Sequence, residues 1–237
     1  FRNSCLKFSL FPCFPAINIR DSYDFAFPLL KQHGLTATFF IPTDFVTKQM
    51  PLWVDRLEYT SINRSDKETA KKEDALIRAR LKTIQDEDRN AELERIEKEN
   101  NSKFENFEGD RGVYAPLTFN MMREMQTSGM KFGVHTASHP ILSKVPVSRL
   151  GEEIDIPKKI LEDEGLSISK IFCYPNGQPN DFNETVIDRI KNAGFVGAVT
   201  ANGGINHKDT DPFYLNRIIM DIISDERTFS LKLTDLF

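Results

Sequence analysis

The sequence has few cysteines and lacks a long apolar run, and each absence excludes a class of protein. Its 237 residues include 3 cysteines, Cys5, Cys13 and Cys173, and no two of them form a C-x-x-C pair. We therefore expect neither a disulfide framework nor a zinc–thiolate site. No apolar stretch approaches the roughly 20 residues that cross a bilayer, and the first residues make a poor secretory signal. The sequence predicts a cytoplasmic protein without a membrane span, with an envelope-associated role as the alternative.

An excess of positive charge is also missing. Lys and Arg total 31 against 35 Asp and Glu, which gives a net charge of −4. Nothing in this balance favours binding to a nucleic-acid backbone. No Gly/Ser/Pro-rich linker divides the chain either. We expect residues 1–237 to form a single domain, because this length allows a large buried core.

The sequence does contain an alternation of amphipathic helices and buried strands. The stretch "DSYDFAFPLLKQHG" has apolar residues near helical spacing and ends at Gly34, and the following "TATFFI" is apolar on both faces of a strand. Further strands are predicted at "KFGVHT", "ISKIFCYP", "VGAVTA" and "FYLNRIIM", with helices between them. The helix N-caps are predicted at Thr118, Ser148 and either Asn183 or Asp181. This order predicts an α/β fold with a parallel sheet or barrel, whose chemistry lies at the carboxyl ends of the strands.

Residues 64–100 interrupt this alternation with a charged segment that has few apolar positions. Its helix propensity is high throughout, and no heptad pattern persists. We predict one or two solvated helices laid over the domain, in an insertion of about residues 64–105. Trp53, just before the insertion, is expected to pack beneath it, with stacking on a sugar ring as the alternative.

The stretch "HTASHP" places His135 and His139 four positions apart, directly after a predicted strand. A lone pair of histidines at this spacing also occurs by chance, so the spacing alone is weak evidence. The position at the end of a strand favours metal binding. Two neutral imidazoles suit Zn²⁺, Co²⁺, Ni²⁺ or Fe²⁺.

Three stretches, taken in order, resemble one known family. "GVHTASHPIL" is similar to the H-[ST]-x-x-H-P motif of the polysaccharide deacetylases (carbohydrate esterase family 4, the NodB homology domain). "DSYDFAFPLLKQHGLTATFFI" resembles the first helix and second strand of that family, and "KIFCYPNGQPNDFNETVIDRIKNAGFVGAVTANGG" resembles its third motif and the elements after it. The resemblance runs from about residue 19 to about residue 220 and is interrupted by the charged insertion.

This resemblance implies a distorted (β/α)7-type barrel and a hydrolase of non-peptide carbon–nitrogen bonds that removes acetyl groups from carbohydrate. In such an enzyme a divalent metal, Zn²⁺ first and Co²⁺, Ni²⁺ or Fe²⁺ as alternatives, polarises the acetyl carbonyl and activates a water. The implied metal ligands are His135 and His139. The other implied roles are loop orientation for Thr136 and Pro140, a backbone N–H donor to the oxyanion for Asn176, and substrate contacts for Tyr174 and Pro175. The partner would be an acetylated carbohydrate.

The chain departs from the family at the first motif, Thr-Phe-Asp-Asp-Gly, which should stand just before "IRDSYDF". Ala16 occupies the position of the general-base aspartate, and Ile17 occupies that of the metal-ligand aspartate. Neither side chain accepts a proton or binds a cation. Cys173 stands where the family has an arginine that orients the base. No late Leu-x-Leu-x-His segment supplies a general acid, since His33 and His207 are expected to be structural or surface residues.

Three explanations of this departure remain open at the level of sequence. The chain is an inactivated member with a carbohydrate-binding or scaffold role, or residues 1–18 are not the native reading of the gene, or a nearby carboxylate substitutes. The candidates for substitution are Asp21, Asp44 and Asp181. The sequence therefore predicts a metal-dependent carbohydrate deacetylase by family, with a non-catalytic carbohydrate-binding protein on the same fold as the alternative.

Overall fold

The structure is a computed structural model that describes residues 13–14, 20–62, 67–102 and 115–218. Its strands form two parallel sheets. The first holds β1 (Cys13–Phe14), β2 (Thr38–Ile41) and β3 (Lys131–Val134) in that order, and the second holds β4 (Ile171–Cys173), β5 (Gly197–Gly203) and β6 (Leu215–Arg217) in that order.

One parallel bridge, between Phe132 in β3 and Ile168, links the first sheet to the segment that leads into β4 of the second. The predicted α/β class with parallel strands is confirmed. The strands in the described ranges do not close into a barrel.

Four helices pack against these sheets. They are α1 (Phe27–Gln32, which follows a π-helical turn at Ser22–Ala26), α6 (Phe119–Thr127), α7 (Leu150–Asp163) and α8 (Glu184–Asn192). Their inner faces and both sheets share one apolar core, which includes Phe39, Phe132, Ile154, Phe172 and Ile187. The short helix α2 (Thr43–Thr47) follows β2. No helix in the described part of the chain is long and apolar enough to cross a membrane.

The predicted helix caps are confirmed at two of three places. Thr118 accepts a hydrogen bond from the N–H of Met121, and Asn183 accepts one from the N–H of Val186. The prediction for Ser148 is wrong, because Val147–Arg149 form a 3₁₀ turn and α7 begins at Leu150 without a side-chain cap. The turn has its own hydrogen bonds, from the N–H of Arg149 to the carbonyl of Pro146 and from the N–H of Leu150 to the carbonyl of Val147.

The charged segment contains two helices, α4 (Lys67–Leu81) and α5 (Asp86–Glu99), which pack with α3 (Trp53–Ile62) just before it into a three-helix layer. The layer has its own apolar core, made of Trp53, Leu57, Leu81, Leu93 and Ile96. The helices and the packing of Trp53 beneath them are confirmed. The expectation of a merely solvated surface is wrong for α5, since α5 also buries charged side chains: Asp86, Arg89 and Glu97.

β6 lies at one edge of the second sheet among the described strands. The side-chain amide of Asn206 donates to the carbonyl of Asn216 at 2.9 Å, and its amide oxygen accepts from the N–H of Asn216 at 2.8 Å. A single side chain thus makes the two hydrogen bonds that a paired strand would make at this residue.

Candidate active site

The two histidines lie in the loop that leaves the carboxyl end of β3. His135 follows the last residue of the strand, and its N–H donates to the carbonyl of Ile41 at the end of β2. The rings of His135 and His139 are both buried, their centroids are 4.7 Å apart, and their planes make an angle of 69°. The sequence motif therefore places both imidazoles side by side at the sheet edge where parallel α/β folds carry their ligands.

The loop between the histidines holds them by an unusual backbone. Thr136 and His139 have positive φ angles of 68° and 61°, a conformation that is costly for side chains with a Cβ and most of all for a branched one. The hydroxyl of Thr136 accepts a hydrogen bond from the N–H of His139 at 2.9 Å. This bond ties the second histidine back to the residue that follows the first.

Glu153 on α7 holds the same loop from beneath. Its carboxylate accepts hydrogen bonds from the N–H groups of Ala137 and Ser138, both at 3.0 Å, and from the hydroxyl of Ser138 at 2.8 Å. The Glu153 side chain is buried, and burial raises its pKa against the opposing effect of these hydrogen bonds. Three donors from two successive residues compensate a buried carboxylate and order the strained loop.

The Nδ1 atoms of the two imidazoles have different hydrogen-bond environments. Nδ1 of His135 lies 2.7 Å from the carbonyl oxygen of Cys173, so this nitrogen carries the proton and Nε2 carries the free lone pair. Nδ1 of His139 is buried and has no hydrogen-bond partner among the described residues. The backbone of β4 thereby sets the tautomer of one ring, which is how metal-ligating histidines are commonly oriented.

Burial and nearby cations keep both rings neutral. Burial lowers the pKa of His135 to about 4, the Cys173 carbonyl opposes this shift, and the charge of Arg217 adds to it. Burial also lowers the pKa of His139 well below its ordinary value, with further lowering from His135 and Arg89. Neutral imidazole is the form that binds a metal ion.

The third motif forms the turn after β4. Asn176 has a positive φ of 56°, and none of the described residues accepts a hydrogen bond from its N–H. Gly177 has a φ of 74° and lies so close to β5 that a Cβ would come within 2.7 Å of the N atom of Ala201. Tyr174 and Pro175 are both buried. The Tyr174 ring stacks on Phe182 at 3.9 Å, and its hydroxyl donates to the carbonyl of Phe213. It thus supports the turn from the core.

Cys173 and Arg217 meet behind His135. The guanidinium of Arg217 donates to the carbonyl of Thr200, and its Nη1 lies 3.7 Å from the sulfur of Cys173. No carboxylate among the described residues lies within salt-bridge distance of Arg217. The guanidinium instead joins β6 to β4 directly behind the histidine pair.

The carboxylates of the first motif are absent from the described site. Ala16 and Ile17 lie outside the described residues. Within the described ranges, no group of three or more His, Cys, Asp or Glu side chains could hold a metal ion. The two imidazoles therefore fit two of the three protein ligands that the resemblance implies, and Ile17, at the position of the third, carries no ligating atom.

None of the three candidate substitutes forms a group of metal-holding side chains with this pair among the described residues, although the N–H of Asp44 donates to the carbonyl of Ala137 in the loop at 2.9 Å. Asp44 pairs with Lys48 at 2.9 Å, and Asp21 makes no side-chain cap at the helical turn that follows it. Asp181 accepts from the N–H of Gln178 at 2.8 Å, so its expected role as the N-cap of α8 is wrong. Burial raises the pKa of Asp181. His33 and His207 are exposed, in agreement with a role away from the site.

Sequence reasoning missed Glu153 and the buried arginine of the three-helix layer. Arg89 pairs with Asp86, its guanidinium lies 5.3 Å from the ring centroid of Trp53, and its charge lowers the pKa of His139. Its Nε and Nη1 atoms have no partner in the described part of the chain. Asp86 is also 3.9 Å from Arg149 at the start of α7. Nothing in the local pattern distinguishes these residues from the many surface charges around them.

A cleft of about 700 Å³ opens beside the histidine loop. Its walls are the turn between α4 and α5 (Lys82, Thr83), the 3₁₀ turn that follows the loop (Ser143, Lys144) and the segment 178–183 after the third motif. The sequence predicted no role for the first of these walls.

Comparison with known proteins agrees with the motifs. The polysaccharide deacetylase family matches residues 12–198. Among solved structures, the Streptococcus pyogenes deacetylase PplD in complex with acetate is 19% identical with a TM-score of 0.57, and the match covers 91% of this chain and 66% of that one. A de-N-acetylase from Aggregatibacter actinomycetemcomitans is 18% identical with a TM-score of 0.55, and covers 91% and 71%. IcaB from Ammonifex degensii is 17% identical with a TM-score of 0.50, and covers 85% and 63%.

The chain thus spans about two thirds of the length of these solved structures. At this level of identity they show the fold. No curated protein sequence matches the chain.

Proposed function

We propose that this chain, which belongs to the polysaccharide deacetylase family, carries a metal-dependent site that hydrolyses an acetyl group from a carbohydrate. The observation that supports this most directly is the pair of buried imidazoles at the carboxyl edge of β3, oriented by the carbonyl of Cys173 and by the Thr136 loop. We also propose that residues 1–237 form one domain, with the insertion at about 64–105 and a distorted (β/α)7 barrel as its full architecture. A cytoplasmic location remains a proposal from the sequence, with an envelope-associated role as the alternative.

In this proposal Nε2 of His135 and a ring nitrogen of His139 hold the divalent ion, with Zn²⁺ first and Co²⁺, Ni²⁺ or Fe²⁺ as alternatives. When bound, such an ion supplies a Lewis acid and a water of lowered pKa. The carbonyl of Cys173 keeps the proton of His135 on Nδ1 and so keeps the ring in its ligating orientation. Glu153 and Thr136 keep the separation between the two rings.

The N–H of Asn176 is the proposed donor to the oxyanion that forms when the acetyl carbonyl is attacked. Its positive φ turns the N–H out of the β4 ladder, and no described group accepts from it. Pro175 would line the substrate pocket, and Tyr174 would act beneath it by fixing the turn. The close approach of Gly177 to β5 sets the position of this turn.

A second candidate function is non-catalytic carbohydrate binding on the same fold. The observation that favours it is Ala16 and Ile17 at the positions of the family's two aspartates. Two imidazoles alone hold a borderline divalent ion weakly, and loss of a positioned base commonly reduces rates by about 10² to 10⁴.

The double substitution Ala16→Asp with Ile17→Asp separates the two functions. We expect the unaltered chain to hold little Zn²⁺ and to release acetate from an N-acetylated amino-sugar oligomer very slowly. The double variant should bind about one Zn²⁺ per chain and release acetate faster by about 10² or more. The same variant with His139→Ala added is the matched control and should lose both gains.

A folded double variant that binds no metal and releases no acetate would contradict the deacetylase proposal. Rapid acetate release by the unaltered chain would contradict the binding-only alternative. Metal content and acetate release are measured on the same preparation. Circular dichroism of that preparation identifies a folding defect before either result is interpreted.

A further inference from the structure

The cleft beside the histidine loop is built by three separate segments, and hydrogen bonds hold two of them together. The N–H of Ser143 donates to the carbonyl of Asp181 at 2.9 Å, and the Ser143 hydroxyl donates to the carbonyl of Asn180 at 2.7 Å. These bonds join the turn after the histidines to the segment after the third motif. Two of the three walls of the cleft are therefore fixed to one another.

Two lysines reach this cleft from different elements. Lys82 comes from the turn between α4 and α5, and Lys144 comes from the 3₁₀ turn that follows the histidine loop. Both are half-buried. Some lysines of the described chain form ion pairs, as Lys158 and Lys159 do on α7. Neither Lys82 nor Lys144 has a described carboxylate within salt-bridge distance.

The one acidic residue in the wall does not neutralise both lysines. Asp181 accepts a hydrogen bond from the N–H of Gln178, and burial favours its protonated form. The charge of Lys82 reaches Asp181 and also reaches His139. The remaining polar groups of the wall are amides and hydroxyls, which carry no charge: Thr83, Ser143, Gln178, Asn180 and Asn183. The cleft thus has a net positive lining next to the histidine pair.

We propose that this cleft binds an anionic substituent of the carbohydrate, a carboxylate, phosphate or sulfate, and that Lys82 and Lys144 are its charge partners. This inference rests on the proposed function, since it assigns to the same site a class of acidic acetylated carbohydrate. The insertion supplies one of the two lysines, so the three-helix layer takes part in selecting the substrate. Half-buried ammonium groups interact with an anion more strongly than fully exposed ones, because water screens them less.

The test measures the binding of oligosaccharides directly and without turnover, by titration calorimetry or by changes in NMR chemical shifts. The probes are an acidic oligosaccharide rich in uronic acid, a neutral N-acetylated amino-sugar oligomer of the same length, and inorganic phosphate. The variant is Lys82→Gln with Lys144→Gln. The matched control is Lys158→Gln with Lys159→Gln, which removes the same charge from α7 away from the cleft.

We expect the unaltered chain to bind the acidic oligomer more tightly than the neutral one, with an affinity that falls as salt is raised. The Lys82/Lys144 variant should lose about tenfold or more of that affinity, and the Lys158/Lys159 control should lose little. Equal binding of acidic and neutral oligomers, or equal losses in the variant and the control, would overturn the proposal. Phosphate that binds as tightly as the acidic oligomer would overturn the carbohydrate assignment and leave a free-anion site.

Binding is measured independently of hydrolysis, so the two proposals fail separately. Acidic oligomer bound through the lysines without acetate release, even after Ala16→Asp and Ile17→Asp, contradicts the deacetylase proposal and supports this one. Acetate release at the same rate from acidic and neutral oligomers supports the deacetylase proposal and contradicts the proposed anion site.

Discussion

Glu153 connects the core helix α7 to the loop that carries the histidines. Its carboxylate receives two backbone N–H groups and one hydroxyl, all buried or half-buried. Replacement by alanine leaves those N–H groups without an acceptor, and each such loss costs about 1–3 kcal/mol. We expect Glu153→Ala to lower the free energy of unfolding by about 2–4 kcal/mol and to weaken Zn²⁺ binding in the Ala16→Asp, Ile17→Asp background.

Glu153→Gln is the matched control for this prediction. A glutamine oxygen accepts the same two N–H groups, and its amide donates to the hydroxyl of Ser138, so most of the stability should return. Urea denaturation and Co²⁺ absorption spectra measure the two effects. An alanine variant as stable as the unaltered protein would show that water replaces the carboxylate at no cost.

Gly177 and Gly165 have nearly equal φ angles, so their substitution distinguishes backbone strain from steric overlap. Gly177 has a φ of 74°, and an added Cβ would meet the backbone N of Ala201 at 2.7 Å; Gly165 has a φ of 72°, and nothing lies within 4 Å of its Cβ position. Gly165→Ala should cost about 1–2 kcal/mol, which is the conformational penalty alone. Gly177→Ala should cost about 1–3 kcal/mol more, because the turn must move away from β5.

Thermal and urea unfolding of the two alanine variants provide the comparison. The displaced turn in the Gly177 variant should also shift the amide resonance of Asn176. Equal destabilisation in both variants would mean that the third motif adapts without moving.

At the scale of elements, the sequence predicted those helices and strands whose structure depends on their own residues. The strand "TATFFI" was predictable because Phe39, Phe40 and Ile41 are apolar on both faces, and the structure buries them all. The start of α7 was not predictable, since a 3₁₀ turn at Val147–Arg149 leads into the helix and places Ser148 inside the turn, where it does not cap α7. The core of the three-helix layer was missed because its apolar residues are few per helix and meet only in three dimensions.

Asp55 in α3 makes the stability of the three-helix layer depend on pH. Burial and the charge of Glu58 raise its pKa from 3.8 to about 6, against the opposing effects of the Leu52 N–H and Arg78. The folded state therefore binds the proton more tightly than the unfolded state. The free energy of unfolding should fall as pH rises from about 4 to above 6, where the carboxylate is buried and charged.

Asp55→Asn removes this titration and keeps the shape of the side chain. We expect the variant to be about 1–3 kcal/mol more stable than the unaltered protein at pH 7.5, with the difference shrinking toward pH 4. Urea unfolding of both proteins across this range measures it. A difference that stays constant with pH would contradict the assignment to Asp55.

At the scale of the molecule, two apolar cores divide the described chain. One is shared by both sheets and includes Phe132, Ile154 and Phe172, and the other belongs to the three-helix layer and includes Leu93. Leu93→Ala should destabilise the layer by about 2–5 kcal/mol and reduce hydrogen-exchange protection in α4 and α5, while amides of β2 and β3 keep theirs.

Ile154→Ala is the counterpart in the shared core and should reduce protection in both sheets together. Ile154 and Leu93 are both fully buried, so the sizes of the cavities are comparable. Loss of protection in β2 and β3 after Leu93→Ala would show that the two cores unfold as one unit.

The candidate site was predictable where a motif supplies it and unpredictable where distant residues complete it. His135 and His139 came from the spacing in "HTASHP" and its place after a strand, and the structure brings their rings together. Glu153 and Arg89 reach the same region from helices that only folding places there. Their sequence neighbours carry similar charges, and so no local signal marked them.

The side chain of Asn206 has a consequence for how copies of the protein avoid one another. An edge strand with free N–H and C=O groups is a template for pairing with another chain and for aggregation. At Asn216 both groups are already taken by one amide, which has a donor and an acceptor at the required spacing. Asn206 therefore occupies both backbone groups of Asn216 on β6, an edge strand among those described, and we expect its loss to open a short stretch of backbone there to intermolecular β-pairing.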